Sequence, residues 1–221
     1  MNDTCKLTML GTGNALVTKC YNTCFTIHTP QTMLLVDAGG GNGILAQLEK
    51  AEIKLGDVHH VFITHAHTDH IIGVLWVLRI FIQYALRGMV DGQLHIYGHD
   101  KSLLVLRTMI ELMLPAKLQK QIGTIVLLHE IKDGYSLSIE DLNLTCFDIL
   151  STKEKQFGFL AVLPDGKRLC CLGDEPYNPA NEQYAKDADW LLAESFCLYA
   201  HRDIFKPYEK SHVTVKDAAE Q

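Results

Sequence analysis

Between Ile63 and Ile71 the chain reads His65-Ala66-His67-Thr68-Asp69-His70, four potential metal ligands within six residues. Neutral imidazoles suit Zn, Fe, Mn or Ni, and a carboxylate beside them can bind or bridge a second ion. Val58 to Thr64 reads as a buried strand and Ile71 to Leu86 as an interior helix. The four ligands then fall on a strand-to-helix connection, where open α/β sheets gather their sites. The bland alternative, a histidine-rich surface turn, does not suit such apolar flanks. His59, His60, His95 and His99 lack ligand spacing and read as structural or exposed residues.

The elements that must position this motif follow from local patterning. Lys6 to Leu10 is strand-like and ends at a glycine turn. Thr23 to His28 alternates and pairs with Thr32 to Val36 across Pro30-Gln31. A short helix is expected over Gly43 to Lys50, a strand over Gln93 to Gly98, and an amphipathic helix over Ser102 to Leu114, stopped by Pro115. Strands are then expected over 124–129, 135–139, 142–147, 157–163 and 168–172, with Pro164-Asp165-Gly166-Lys167 as a turn. Ala180 to Ala185 reads as helix and Trp190 to Glu194 as strand. Strands and helices in two runs imply two packed sheets with helices outside.

A length of 221 residues fits one domain spanning 1–221, or two tightly packed halves sharing a core. A net charge of -6 argues against a broad basic surface for nucleic acid. The 7 cysteines are odd in number and lack framework spacing. No basic segment precedes an apolar core at Met1-Asn2-Asp3-Thr4, so a cytoplasmic protein with reduced thiols is expected. Arg79 and Arg87 interrupt or bound the apolar run 71–86, which favours a buried helix over a membrane span.

The chain resembles the metallo-β-lactamase superfamily, whose signature is HxHxDH after a strand, and most closely its ribonuclease Z-like phosphodiesterase branch. Leu10-Gly11-Thr12-Gly13-Asn14-Ala15 matches the branch's opening GTG, and Leu35-Val36-Asp37-Ala38-Gly39-Gly40-Gly41 its DxG segment. Phe62 to Gly73 matches the central block, Leu172-Gly173-Asp174 the GD element, and Ala188 to Glu194 and Ser211-His212-Val213-Thr214 the later AD-LL-E and HxT elements. The resemblance implies an α/β four-layer αββα sandwich. It assigns His65 and His67 to one metal, Asp69 and His70 to a second, and Asp174 to the bridge between them. Two divalent transition ions are implied, zinc first, with Mn or Fe as alternatives. A hydroxide bridging them would attack the substrate. Asp37 is expected to support the ligands by hydrogen bonds. Asp69, Glu194 and His212 are expected in catalysis, the last two by protonating the leaving oxygen.

The chain departs from that pattern twice. Leu150 stands where the family places a third histidine, and leucine ligates no metal. The family's last strand, ending in a ligating histidine, has no counterpart after the helix beginning at Val213. The expectation is therefore a sandwich incomplete at its C-terminus, read either as a truncation or as the loss of that ligand. Only a plain hairpin lies between Leu150 and Asp174, where tRNA-processing members carry a long gripping arm. A small phosphodiester or nucleotide-like substrate is expected rather than tRNA, with no membrane partner and a homodimer through exposed apolar surface. The rivals are a lactone or thioester hydrolase, and a catalytically impaired member that binds a ligand or partner.

Overall fold

The computed structural model describes residues 5–220, and the chain divides at Ile131–Lys132 into two units. The first is built on a six-stranded sheet of β1 (Lys6–Gly11), β2 (Cys24–His28), β3 (Met33–Val36), β4 (His60–Phe62), β5 (Leu94–Gly98) and β6 (Val126–Glu130), in that spatial order. The first three strands form an antiparallel meander, with the hairpin 24–36 as the alternation implies. From β3 onward the pairing is parallel. Parallel neighbours need crossovers. These carry α1 (Gly43–Lys50), α2 (Thr68–Ala85) and α3 (Asp100–Met113); the short α4 (Ala116–Gln119) follows α3. Leu35, Val61, Ile63 and Ile96 pack from the strands against Leu48, Val74, Leu78, Phe81 and Leu106 from the helices.

Two helices begin earlier than their apolar periodicity. Helix α2 starts at Thr68, not Ile71, so Asp69 and His70 belong to its first turn rather than to the connection. The His67 carbonyl accepts the N–H groups of His70 and Ile71, both at 3.0 Å. The Asp69 carboxylate suits the positive end of a helix dipole, which apolar periodicity does not register. Helix α3 starts at Asp100, where the His99 side chain caps the Ser102 N–H. Pro115 ends α3 as expected and then enters α4.

Gly73 fixes how α2 meets the sheet. Its N–H donates to the Gly39 carbonyl at 2.8 Å, and a Cβ there would overlap the Ala38 carbonyl oxygen. The helix and the loop after β3 are thus in backbone contact.

The sheet face opposite the helices carries an imidazole row. His60 pairs in register with His95, and Tyr97 with His129. The His95 and His129 rings are nearly coplanar at 10°, and Nδ1 of the first lies 3.0 Å from Nε2 of the second. One ring must donate and the other accept, and the accepting ring can do so only while neutral. Burial, with the neighbouring histidines adding to it, pushes His60 from 6.5 down to about 4. His95 and His129 are also pushed down, chiefly by burial.

The second unit is a five-stranded sheet of β7 (Ser136–Ile139), β8 (Leu142–Asp148), β9 (Phe157–Val162), β10 (Arg168–Cys171) and β11 (Trp190–Leu192), in the order β11-β10-β9-β8-β7. β7 to β10 are antiparallel, with the expected turn at Gly166, whose φ is +82°. β11 joins parallel to β10. Helix α5 (Glu182–Ala185) lays Tyr184 flat on Phe147, ring centroids 4.2 Å apart. Helices α6 (Arg202–Phe205) and α7 (Val215–Glu220) follow. None of the seven cysteines forms a disulfide, and no helix among the described residues is long and apolar enough to cross a membrane.

Two predictions follow from the first unit. Gly73→Ala forces α2 off the Ala38 carbonyl and lowers stability by about 2 kcal/mol or more, read as a reduced urea midpoint. For His60 the sign is fixed by its lowered value. Above pH 6.5 both folded and unfolded rings are neutral. Between 6.5 and about 4 the unfolded chain takes a proton that the folded ring refuses, so stability falls with pH across that window. The urea midpoint should therefore drop less between pH 7.5 and 5 in His60→Gln than in the parent; equal drops would remove His60 as the cause.

Candidate metal centre

β3 and β4 run parallel with Val36 opposite Phe62, so the residues that follow them emerge side by side. Asp37 follows β3 in a left-handed conformation, φ 53°, with its N–H on the Phe62 carbonyl at 2.8 Å. Its side chain is 5% exposed. Oδ1 accepts the Thr64 N–H at 2.9 Å, and Oδ2 accepts the Thr64 hydroxyl at 2.6 Å. Oδ2 also accepts from His70 Nδ1 at 2.7 Å.

These bonds dictate two tautomers. A carboxylate only accepts, so His70 carries its proton on Nδ1 and presents the Nε2 lone pair. The Thr64 hydroxyl spends its one proton on Asp37. It therefore accepts from His65 Nδ1, 2.9 Å away, and His65 too presents Nε2 as a lone pair. His65 Nε2 lies 2.9 Å from His67 Nδ1, and His70 Nε2 lies 3.7 Å from Asp69 Oδ2. The His65 ring is 4.5 Å from that of His67 and 4.1 Å from that of His70. Nitrogen and oxygen donors at such separations, with the outer imidazole nitrogens tied down, fit a divalent transition metal.

The loop beside these residues is locked by contacts that the sequence reading did not single out. The Tyr21 hydroxyl lies 2.8 Å from the carbonyl oxygens of Ala38 and Gly41. Burial pushes its pKa up to about 12, so it stays a donor. Asn22 Oδ1 accepts the Gly40 N–H at 3.1 Å. Thr64, also overlooked, had one signal: a hydroxyl immediately before the first ligand.

The remaining expected site residues belong to the second unit. Asp174 follows β10 after Gly173, whose φ is +79°, and its N–H donates to Gln156 Oε1 at 3.3 Å. Glu194 and His212 come together, Oε1 2.8 Å from Nδ1. Leu150 is 51% exposed with φ 60°, its N–H held by Asp148 Oδ1 at 2.8 Å. The next residue, Ser151, donates to the buried Glu175 carboxylate at 2.6 Å.

Two sheets with this order, and HxHxDH between β4 and α2, define a metallo-β-lactamase fold of the ribonuclease Z-like kind. Within that fold the chain belongs to the family described as Anti-Pycsar protein Apyc1, whose sequence model matches residues 5–203. Ribonuclease Z of Staphylococcus carnosus is 29% identical over 153 residues, 62% of this chain and 45% of that enzyme, so the match spans under half of that relative. Among solved structures, human tRNase Z, short form, superposes with a TM-score of 0.73 at 24% identity, covering 97% of this chain and 86% of that one. A diphosphatase of the PhnP family gives 0.74 at 15% identity, covering 97% and 79%.

Asp37→Asn should weaken metal binding roughly 10- to 100-fold while the protein stays folded, because the amide no longer holds both imidazole tautomers. Competition with a chromogenic chelator measures this. Unchanged affinity would mean that Asp37 acts only on the backbone.

Proposed function

We propose that the protein is a metal-dependent phosphodiesterase acting on a small anionic phosphodiester, such as a cyclic nucleotide or a nucleotide-like ester. The observation that carries this reading is the single buried carboxylate, Asp37, that fixes the donor nitrogens of His65 and His70. His65, His67, Asp69 and His70 would hold the metal, with Asp174 added as an anionic bridge on the family resemblance. Two divalent ions, zinc first, would supply Lewis acidity and a deprotonated water at neutral pH. Asp37 orients the two imidazoles, and Thr64 relays its hold to His65. Glu194 orients His212, which is suited to passing a proton to the departing oxygen.

The likeness to ribonuclease Z supports phosphodiester chemistry. The hairpin of β9 and β10, which fills the segment between Leu150 and Asp174, supports a small substrate over tRNA. A cytoplasmic location is part of the same proposal, as is a homodimer. Leu150 favours a second reading, a member that binds metal weakly and serves as a ligand-binding protein.

Metal-loaded protein should cleave bis-(p-nitrophenyl) phosphate faster than a thioester or nitrocefin; the reverse order would overturn the phosphodiesterase reading. Asp174→Ala should remove most of the bound metal, measured by inductively coupled plasma mass spectrometry, and full retention would sink the bridging role. Near-zero metal in the parent protein would instead favour the second reading.

A further inference from the structure

The second unit holds a cation that the metal chemistry does not use. Lys153 lies in the connection from β8 to β9, and its Nζ is 3.2 Å from His212 Nε2. An ammonium only donates, so Nε2 accepts. The imidazole proton then sits on Nδ1, which lies 2.8 Å from Glu194 Oε1 without hydrogen-bond geometry. A cation, a neutral ring and a carboxylate thus stand in one row.

The row is held from every side. Glu194 Oε2 accepts the Val213 N–H at 3.2 Å, which keeps the carboxylate from swinging away. Phe196 stacks on the His212 ring, centroids 4.8 Å apart at 15°, and the Lys210 ammonium lies 5.1 Å from the Phe196 centroid on that ring. The side chains of His212 and Glu194 are 15% and 7% exposed. Lys153 itself is pinned by its backbone: its N–H donates to Ser151 Oγ at 3.2 Å, and Ser151 is tied to Glu175. An ammonium has three N–H donors and His212 takes one, so the solvent-facing head can accept an anion without leaving its place.

We propose that Lys153 is the residue that recognises the anion, its ammonium binding a non-bridging oxygen of a phosphodiester monoanion beside His212 Nε2. The inference rests on the phosphodiesterase reading. The charges around His212 are Glu194 on one edge, Lys153 on the other, and Lys210 beyond Phe196. An anion on the Lys153 ammonium would lie against His212 Nε2, 3.2 Å from that ammonium, and so beside the ring suited to passing a proton to the leaving oxygen.

The test uses the full, metal-loaded chain and its Lys153→Met and Lys153→Arg variants. Lys153→Met should raise KM for bis-(p-nitrophenyl) phosphate about tenfold, with a smaller change in kcat, and Lys153→Arg should recover most of the loss. In ring-nitrogen NMR, dimethyl phosphate should shift the His212 Nε2 signal of the parent, and this response should vanish in Lys153→Met. An unchanged KM in Lys153→Met, or an NMR response that survives it, overturns the proposal. If the parent hydrolyses no phosphodiester at all, the functional reading fails, while the response of His212 to dimethyl phosphate still decides the role of Lys153.

Discussion

A buried carboxylate is tolerated only when its oxygens are satisfied, and Asp37 is satisfied by the residues it organises. Thr64 and His70 arrive from different elements, one after β4 and one in the first turn of α2. Both converge on the same carboxylate. The backbone had to accept a left-handed aspartate to deliver it. In return, the strand order of the sheet and the start of the helix are coupled to the tautomeric state of two imidazoles. Removing the whole side chain would alter packing, helix placement and donor orientation together, which is why the centre and the fold of the first unit are one problem.

The same device recurs in the second unit with a different outcome. His70 and His212 each bring Nδ1 close to a carboxylate, as a hydrogen bond to Asp37 in one case and as a 2.8 Å approach to Glu194 in the other. What differs is the partner of Nε2. At His70 it faces a carboxylate oxygen of Asp69, a setting for a cation; at His212 it faces the Lys153 ammonium, a setting for an anion. One side-chain type thus serves two chemistries through the sign of the charge opposite it.

Much of this was readable in the sequence where one residue's type decides its role. The HxHxDH run, the alternation of 24–36, the helix 43–50 and the turn at Gly166 rest on local patterns, and the structure holds each of them. The supporting role of Asp37 comes from the family resemblance, through the DxG segment. The start of α2 was misplaced because apolar periodicity reports burial, while the first turn of that helix is polar and faces the ligands. Tyr21, Asn22 and Lys153 were passed over for a different reason. Each acts across a loop or across a large sequence separation, from Lys153 to His212 for example, and single residues carry no periodic signal of such contacts. His60 and His95 were expected to be structural or exposed; with His129 they form a half-buried row that the parallel register of β4 to β6 aligns.

Leu150 carries a consequence of its own. A leucine at φ 60° lies in a region that costs an ordinary residue about 1–2 kcal/mol, and here half of the side chain faces solvent, so little burial offsets the cost. The Asp148 side chain clamps the peptide in place. Glycine or asparagine would relax the same backbone without disturbing a core contact. Thermostability alone would therefore never choose leucine at this turn, and a directed-evolution campaign selecting only for heat resistance should discard it early.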